Sequence, residues 1–328
     1  MSGWDDYWTA LAEGDRDLAI TFIQRALDEG AAPREVLDEF VLEAQHRIGE
    51  LWLEGEWTVA QEHEATAVSE SLVHWLASVT SRSPTLDGRA LLVSCLPGER
   101  HALPALVVAE GLRMEGHRVH YLGADPEPSS LLSEVLDLGP RAVLFSGSLT
   151  SALGTQKSML VSLRALGVPV VVGGQAFGLD ARRARSLGAT AYAPSIEAVV
   201  EVLDRLPARL PRLPDLETVP GEAEGAWLED ARPELAAYVV RQVRRRVGDE
   251  GGTPDWWTDY ESNVDHLVGC LGAALVTGDD TIMLEVREWM ARMLTRRDAP
   301  PTVMELTWDT LAGRVRGHPM ARLLLASA

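Results

Sequence analysis

The residues best suited to chemistry stand in one short loop, Leu96-Pro97-Gly98-Glu99-Arg100-His101. A histidine two residues after an acid can present one ring nitrogen to a metal. The carboxylate can hold the other N–H, which fixes the tautomer and raises the ring's basicity. A lone loop histidine would be ordinary surface. Spacing sets this one apart: 41 residues separate Pro104 from Ser146, and 24 separate Ser148 from Gly173-Gly174. Two further groups stand apart from the loop. Trp52 is followed after nine residues by Glu62-His63, with Val59 between them. Near the end, Trp257, Tyr260, Asn263, His266 and Cys270 fall at helical spacing, the last three forming a polar stripe.

These residues need elements to position them. Residues 1–83 carry apolar residues at helical spacing, in Phe22, Ile23, Ala26 and Leu27 and again in Val36, Leu37, Phe40, Val41, Ala44, Ile48 and Leu51. Pro33 suits a first helical turn, and a third helix is predicted over about Val59 to Val79. Between residues 84 and 206 short apolar runs alternate with helical stretches. The runs are Ala90–Val93, Val119–Leu122, Ala142–Phe145, Val168–Val172 and, more weakly, Thr190–Ala193. That alternation predicts a Rossmann-like parallel sheet with helices on both faces. In such a sheet, loops at the carboxyl ends of strands hold ligands, which is where Glu99 and His101 would fall. Residues 207–225, with Pro207, Pro211, Pro214 and Pro220, read as a linker. Residues 226–328 read as an all-helical domain holding five of the ten tryptophans. The fold class is therefore multidomain, α and α/β.

Composition narrows the function classes. The chain has 328 residues, 46% of them hydrophobic, enough for two or three cored units. A net charge of -19 argues against a nucleic-acid surface, since phosphate contacts need a basic face. Two cysteines, Cys95 and Cys270, define no disulfide framework. The start, MSGWDDYWTA, has no signal-peptide pattern, and no apolar run is long enough to predict a membrane span. A cytoplasmic protein is expected.

The spaced loop resembles the cobalamin-binding domains of methionine synthase and the base-off mutases. Their signature is Asp-x-His-x-x-Gly, then Ser-x-Leu, then Gly-Gly at closely similar intervals. This chain departs from it with Glu99, Pro104 and Ser148 in place of Asp, Gly and Leu. The resemblance implies that His101 replaces the cofactor's own base beneath cobalt, making it the one metal ligand. It implies too that the displaced nucleotide tail enters a slot lined by Ser146, Ser148, Gly173 and Gly174, where a side chain at the glycines would block it. Trp52 and Glu62-His63, with Val59, resemble the motif of light-sensing repressors that bind adenosylcobalamin. By that likeness they lie over the cofactor's upper face, the indole on the adenosyl group and the carboxylate on its ribose. Those repressors carry a histidine just after the tryptophan. Here that position is Leu53, so trapping of cobalt by that route is not expected. No DNA-binding segment is read ahead of the bundle, so repression is not expected to carry over.

The order of parts is similar to that of photocobilins: a helical cobalamin cap, a Rossmann-like domain, then a Trp-rich helical domain for biliverdin. That likeness would give Trp257, Tyr260, Asn263, His266 and Cys270 to a bilin. His266 would bond its pyrrole region, and thioether or noncovalent attachment at Cys270 both stay open. The leading expectation is a non-enzymatic photoreceptor of two tetrapyrroles, adenosylcobalamin and biliverdin, signalling through an oligomer change or a separate protein. A corrinoid methyl carrier for a methyltransferase and a plain cobalamin-binding protein are the alternatives.

Overall fold

A computed structural model describes residues 3–80, 88–207, 210, 218–248 and 256–328. Pro211 and Pro214 of the expected linker, and the expected boundary between residues 83 and 84, lie outside them.

Two of the first helices start where a side chain supplies a partner for an otherwise unpaired backbone N–H. α1 spans Trp4–Ala12 and α2 Arg16–Asp28, where Asp15 accepts from the Leu18 N–H at 2.9 Å. α3 (Pro33–Val36) has Pro33 in its first turn, and Glu35 reaches back to the Ala32 N–H. It runs on through a π turn, Leu37–Leu42, into α4, Glu43–Leu53. Leu37, Phe40 and Val41, at spacing i, i+3 and i+4, are buried along one face of this stretch. α5, Val59–Thr80, is the predicted third helix. Thr58 and Gln61 cap it reciprocally, the Thr58 N–H bonding Gln61 Oε1 at 2.9 Å.

The five apolar runs form strands: β1 (Leu91–Cys95), β2 (Val119–Gly123), β3 (Ala142–Ser146), β4 (Val170–Gly173) and β5 (Ala191–Tyr192). Their order is β2-β1-β3-β4-β5, with β1 parallel to both neighbours. β1 and β3 are buried along their whole length, as strands covered on both faces must be. Helices α6 (Ala102–Met114), α7 (Pro128–Leu138), α8 (Lys157–Ala165) and α9 (Arg182–Leu187) make the four connections, and α10 (Ile196–Arg205) follows β5. The strand order reverses between β1 and β3. In an open sheet that switch point is where a crevice opens beyond the strand ends.

Five helices complete the described chain: α11 (Glu222–Val247), α12 (Trp256–Thr277), α13 (Thr281–Thr295), α14 (Thr302–Arg314) and α15 (Pro319–Ser327). α11 begins inside the stretch read as a linker, so residues 222–225 are helical. The reason is close packing: a side chain at Gly225 would meet Val276, and Gly221 lies directly against Leu275. No described helix is long and apolar enough to cross a membrane.

Packing divides the chain into two compact units, 1–146 with 193–208, and 147–192 with 209–328. In the first, α6 is shared: its Leu103, Leu106 and Val107 join Ile196 in the same apolar core as the bundle's Ile23, Phe40, Leu72 and Val73. In the second, α12 packs along the turn Thr150–Thr155 and against α11 and α13.

Leu106 tests the shared core. Leu106→Ala should cost about 3 kcal/mol, because it opens a cavity where α6 meets the bundle. Urea unfolding should show one transition moved to lower midpoint. A variant in which the helical signal holds while only the sheet melts would mean that the two are not joined through α6.

Candidate functional site

The loop after β1 is built to hold one imidazole. Leu96 N–H donates to the Ser146 carbonyl at 3.0 Å, which carries the chain past the sheet edge. Gly98 then turns with φ +82°, a conformation costly for other residues. Its N–H bonds Asp125 Oδ1 at 2.9 Å, and the Asp125 N–H bonds the Glu99 carbonyl at 2.8 Å. Asp125, in the loop after β2, thus fastens the turn from the side. Nothing in the sequence marked it except its place after a strand.

Within this frame Glu99 is 1% exposed. Its Oε1 accepts from the His101 backbone N–H at 2.9 Å and from ring Nδ1 at 2.5 Å. A bond to a carboxylate puts the ring proton on Nδ1, so Nε2 carries the lone pair. The ring is half exposed. The Cys95 thiol points at the His101 carbonyl, 3.6 Å away, and burial pushes its own pKa up to about 12. It is therefore a neutral packing group. The Glu99 hydrogen bond raises the His101 pKa above the ordinary imidazole value, against desolvation, and Glu62 adds to the rise. Glu62 stands in the first turn of α5.

That turn presents Val59, Glu62 and His63 together, at spacing i, i+3, i+4. Val59 and His63 are exposed and Glu62 is half-buried. His63 Nδ1 bonds the Val59 carbonyl at 2.6 Å and lies 3.2 Å from Glu62 Oε2. Trp52 sits half-buried in the last turn of α4, one short loop away, and Leu53 is buried beside it. A buried leucine has no lone pair to give a metal.

Ser146 ends β3, buried, at the switch point. Gly173 ends β4 and Gly174 follows with φ +95°. A Cβ on Gly174 would collide with the Gly147 carbonyl oxygen. The Gly147 N–H meanwhile donates to the Gly173 carbonyl, and the Ala176 N–H to the Gly147 carbonyl, both at 3.0 Å. The second glycine is thus demanded first by the backbone of the neighbouring loop, whatever lies in the slot. Ser148, half-exposed, comes directly after Gly147.

The C-terminal candidates do not share one surface. Trp257 and Tyr260 are buried with Trp256, ring centroids 5.1 to 6.1 Å apart. Tyr260 Oη bonds Thr307 Oγ1 at 2.8 Å, and the buried Trp257 indole N–H has no partner among the described residues. Asn263 donates to the Asp259 carbonyl at 2.7 Å. His266 and Cys270 do meet, Nε2 to Sγ at 3.5 Å, and His266 Nδ1 lies 2.9 Å from Ser151 Oγ. Complete burial raises the Cys270 thiol pKa to about 12, so it is no thiolate nucleophile.

Among the described residues no cluster of three or more His, Cys, Asp and Glu could hold a metal ion by itself. A metal at His101 Nε2 must therefore arrive with its other ligands attached. The residues fit such a group: one oriented ring nitrogen, a first turn of α5 with exposed Val59 and His63, and loops at the switch point.

In the ligand-free protein the His101–Glu99 pairing makes a pH prediction. A raised pKa means that the pairing stabilises the fold fully below the ordinary imidazole range and that this is lost as pH rises through the folded value. Glu99→Gln should bring the His101 pKa down toward the ordinary value, followed by NMR titration of the ring protons. An unchanged titration would mean that Glu99 does not govern the ring.

Sequence comparison adds to this geometry. Two models described as B12 binding domain match residues 4–76 and 89–203. The chain is 33% identical over 160 residues to the HTH-type transcriptional repressor CarH of Myxococcus xanthus, covering 47% of this chain and 52%, about half, of the repressor's length. It is 25% identical over 203 residues to trimethylamine corrinoid protein 2 of Methanosarcina mazei, covering 59% of this chain and 91% of that protein. The monomethylamine corrinoid protein of Methanosarcina barkeri superposes with a TM-score of 0.53 at 18% identity, over 62% of this chain and 98% of that one, which is a likeness of fold. The helical bundle and the sheet region, residues 4–76 and 89–203, are B12-binding domains.

Proposed function

We propose that this chain is a light sensor that holds adenosylcobalamin between the bundle and the sheet, with His101 beneath cobalt. The observation that carries the reading is the His101 ring: its tautomer is set by Glu99, it is half exposed, and among the described residues it belongs to no cluster that could hold a metal ion by itself. A corrin ring brings four equatorial nitrogens of its own, which is what a site with a single protein ligand requires. Bound adenosylcobalamin would supply a light-sensitive cobalt–carbon bond. The chain's own part is to position that bond. Glu99 orients His101 and keeps it basic. Trp52 would pack against the adenosyl group, Glu62 and His63 would bond its ribose, and Val59 would exclude water from the rim. Those cap contacts exist only while the adenosyl group is attached, which is the differential interaction that a switch needs.

His101→Ala should leave bound cobalamin with its own base on cobalt, or abolish binding. A histidine-ligated, base-off absorption spectrum that survives the substitution would sink the assignment. Trp52→Ala should weaken adenosylcobalamin about tenfold more than hydroxocobalamin, since only the former offers a nucleoside to stack on.

The corrinoid methyl carriers are the second reading, favoured by one observation: the chain matches those relatives over nearly their whole length. A methyl carrier needs an open upper face. Equal losses for the two cobalamins in Trp52→Ala would favour the carrier.

Biliverdin in the C-terminal helices is the finer part of the proposal. Its support is the Trp257 N–H, without a partner among the described residues and set among aromatic rings, and the His266–Cys270 pair on the same helix. Arg244 stands over the Trp257 ring at 5.4 Å and could meet a propionate. Titration of biliverdin into the whole protein should give a red-shifted, structured band, weakened by His266→Ala. Absence of that band leaves cobalamin as the sole chromophore. The downstream partner and a homo-oligomeric output belong to the same proposal.

A further inference from the structure

Two loops of the sheet region are gripped by the C-terminal helices, one carrying Ser148 and the other Gly173-Gly174 of the expected tail slot. The first runs from Gly147 and Ser148 into the turn Thr150–Thr155. Ser151 is buried there, its hydroxyl 2.9 Å from His266 Nδ1 on α12 and its carbonyl accepting from Arg232 of α11 at 3.3 Å. Arg232 is in turn held by Asp265, with bonds of 2.7 and 3.1 Å. Gly154 lies so near Glu229 that any Cβ would collide with its carboxylate.

The second loop starts at Gly173-Gly174 and continues through Gln175–Phe177. Arg183, 3% exposed, sits against it. Its Nη1 donates to the Ala176 carbonyl at 3.1 Å, and a Cβ at Gly178 would touch the guanidinium at 3.3 Å. The other side of the same guanidinium binds α13 and the turn before it: Nε to Asp279 Oδ2 at 2.8 Å, and Nη2 to both oxygens of Glu285 at 2.7 and 2.8 Å. A buried arginine with both its edges occupied is fixed in place, and so is the carbonyl it holds.

Resting on the cobalamin reading, we propose that Arg183 and Ser151 are positioning residues for the nucleotide-tail slot, through which the C-terminal helices set its width. The two loops meet where Gly147 and Gly174 touch. Arg183 fixes one of them from α13, and Ser151 fixes the other from α11 and α12. The slot is thus completed by a region that the B12-binding domain matches do not cover.

The consequence is selective. Loosening either grip should weaken a corrinoid that has a nucleotide tail and spare one that has none. The test compares hydroxocobalamin with diaquacobinamide, the same corrin without its tail, titrated into the full chain and followed by absorbance. Arg183→Lys keeps a charge for Asp279 but cannot fork to Ala176 and Glu285 together. Ser151→Ala removes the hydroxyl bonded to His266 and little else. Each should lose about tenfold in hydroxocobalamin affinity, with cobinamide affinity unchanged. Cobinamide binding also reports that the variant is folded, and Ser151→Ala carries the test if Arg183→Lys does not fold.

Equal losses for both ligands would make the two residues general stabilisers and overturn the proposal. So would full retention of the preference for hydroxocobalamin in both variants. A wild-type protein that binds the two corrinoids equally would show that no tail slot operates. That outcome removes the proposal together with the tail part of the cobalamin reading, while His101 ligation stands or falls separately on its spectrum.

Discussion

A carboxylate sealed from water is expensive unless its charge is answered at close range. Glu99 is such a group, and the answer is supplied by two N–H groups of the same residue, His101. Much of the surrounding loop serves that pairing. Leu96 ties the strand end to Ser146, Gly98 makes the left-handed turn, and Asp125 secures the turn from the loop after β2. Glu99 needs the histidine's protons as much as the histidine needs orientation. The pairing holds the ring in one orientation with its proton on Nδ1.

The bundle reaches that nitrogen through α6, which starts at the residue after His101. Its first turns place Leu103, Leu106 and Val107 in the core of the bundle helices. Glu62 on α5 and His101 in the β1 loop thereby belong to one compact unit, and Glu62 is among the charges that raise the His101 pKa.

The elements that the sequence displayed best were those whose burial leaves a period. The five strand runs and α5 came out within a few residues because strands covered on both faces, and helices covered on one, leave unbroken patterns of apolar residues. Glu99 and His101 were visible for a different reason: their types are informative and their spacing to Ser146 and Gly173-Gly174 is specific. Asp125 and Arg183 were not visible. Each acts through a contact with a residue distant in sequence, and an aspartate or arginine in a polar stretch looks the same whether it faces solvent or a buried backbone group. The start of α11 was obscured by composition. Its glycines and acids resemble a linker, yet Gly225 is there because Val276 leaves no room for more. Gly174 was singled out for a ligand slot, whereas the constraint the fold places on it is the Gly147 carbonyl.

Packing also groups the chain differently from its sequence order. Residues 147–192, the second half of the sheet region, lie in one compact unit with the C-terminal helices. Charge explains part of this. Arg183 could not be buried without carboxylates, and the nearest come from Asp279 and Glu285, about a hundred residues further along the chain. Once such a group is buried, removing either side leaves an uncompensated charge, so the two regions are obliged to fold together. The same obligation runs through Ser151, whose hydroxyl and carbonyl are both taken up by α11 and α12. The C-terminal helices are therefore built into the carboxyl end of the sheet, at β4 and the loop after β3. Any change in α12 or α13, whether from a ligand or a partner, has to be accommodated by the loops that carry Gly147, Ser148 and Gly174.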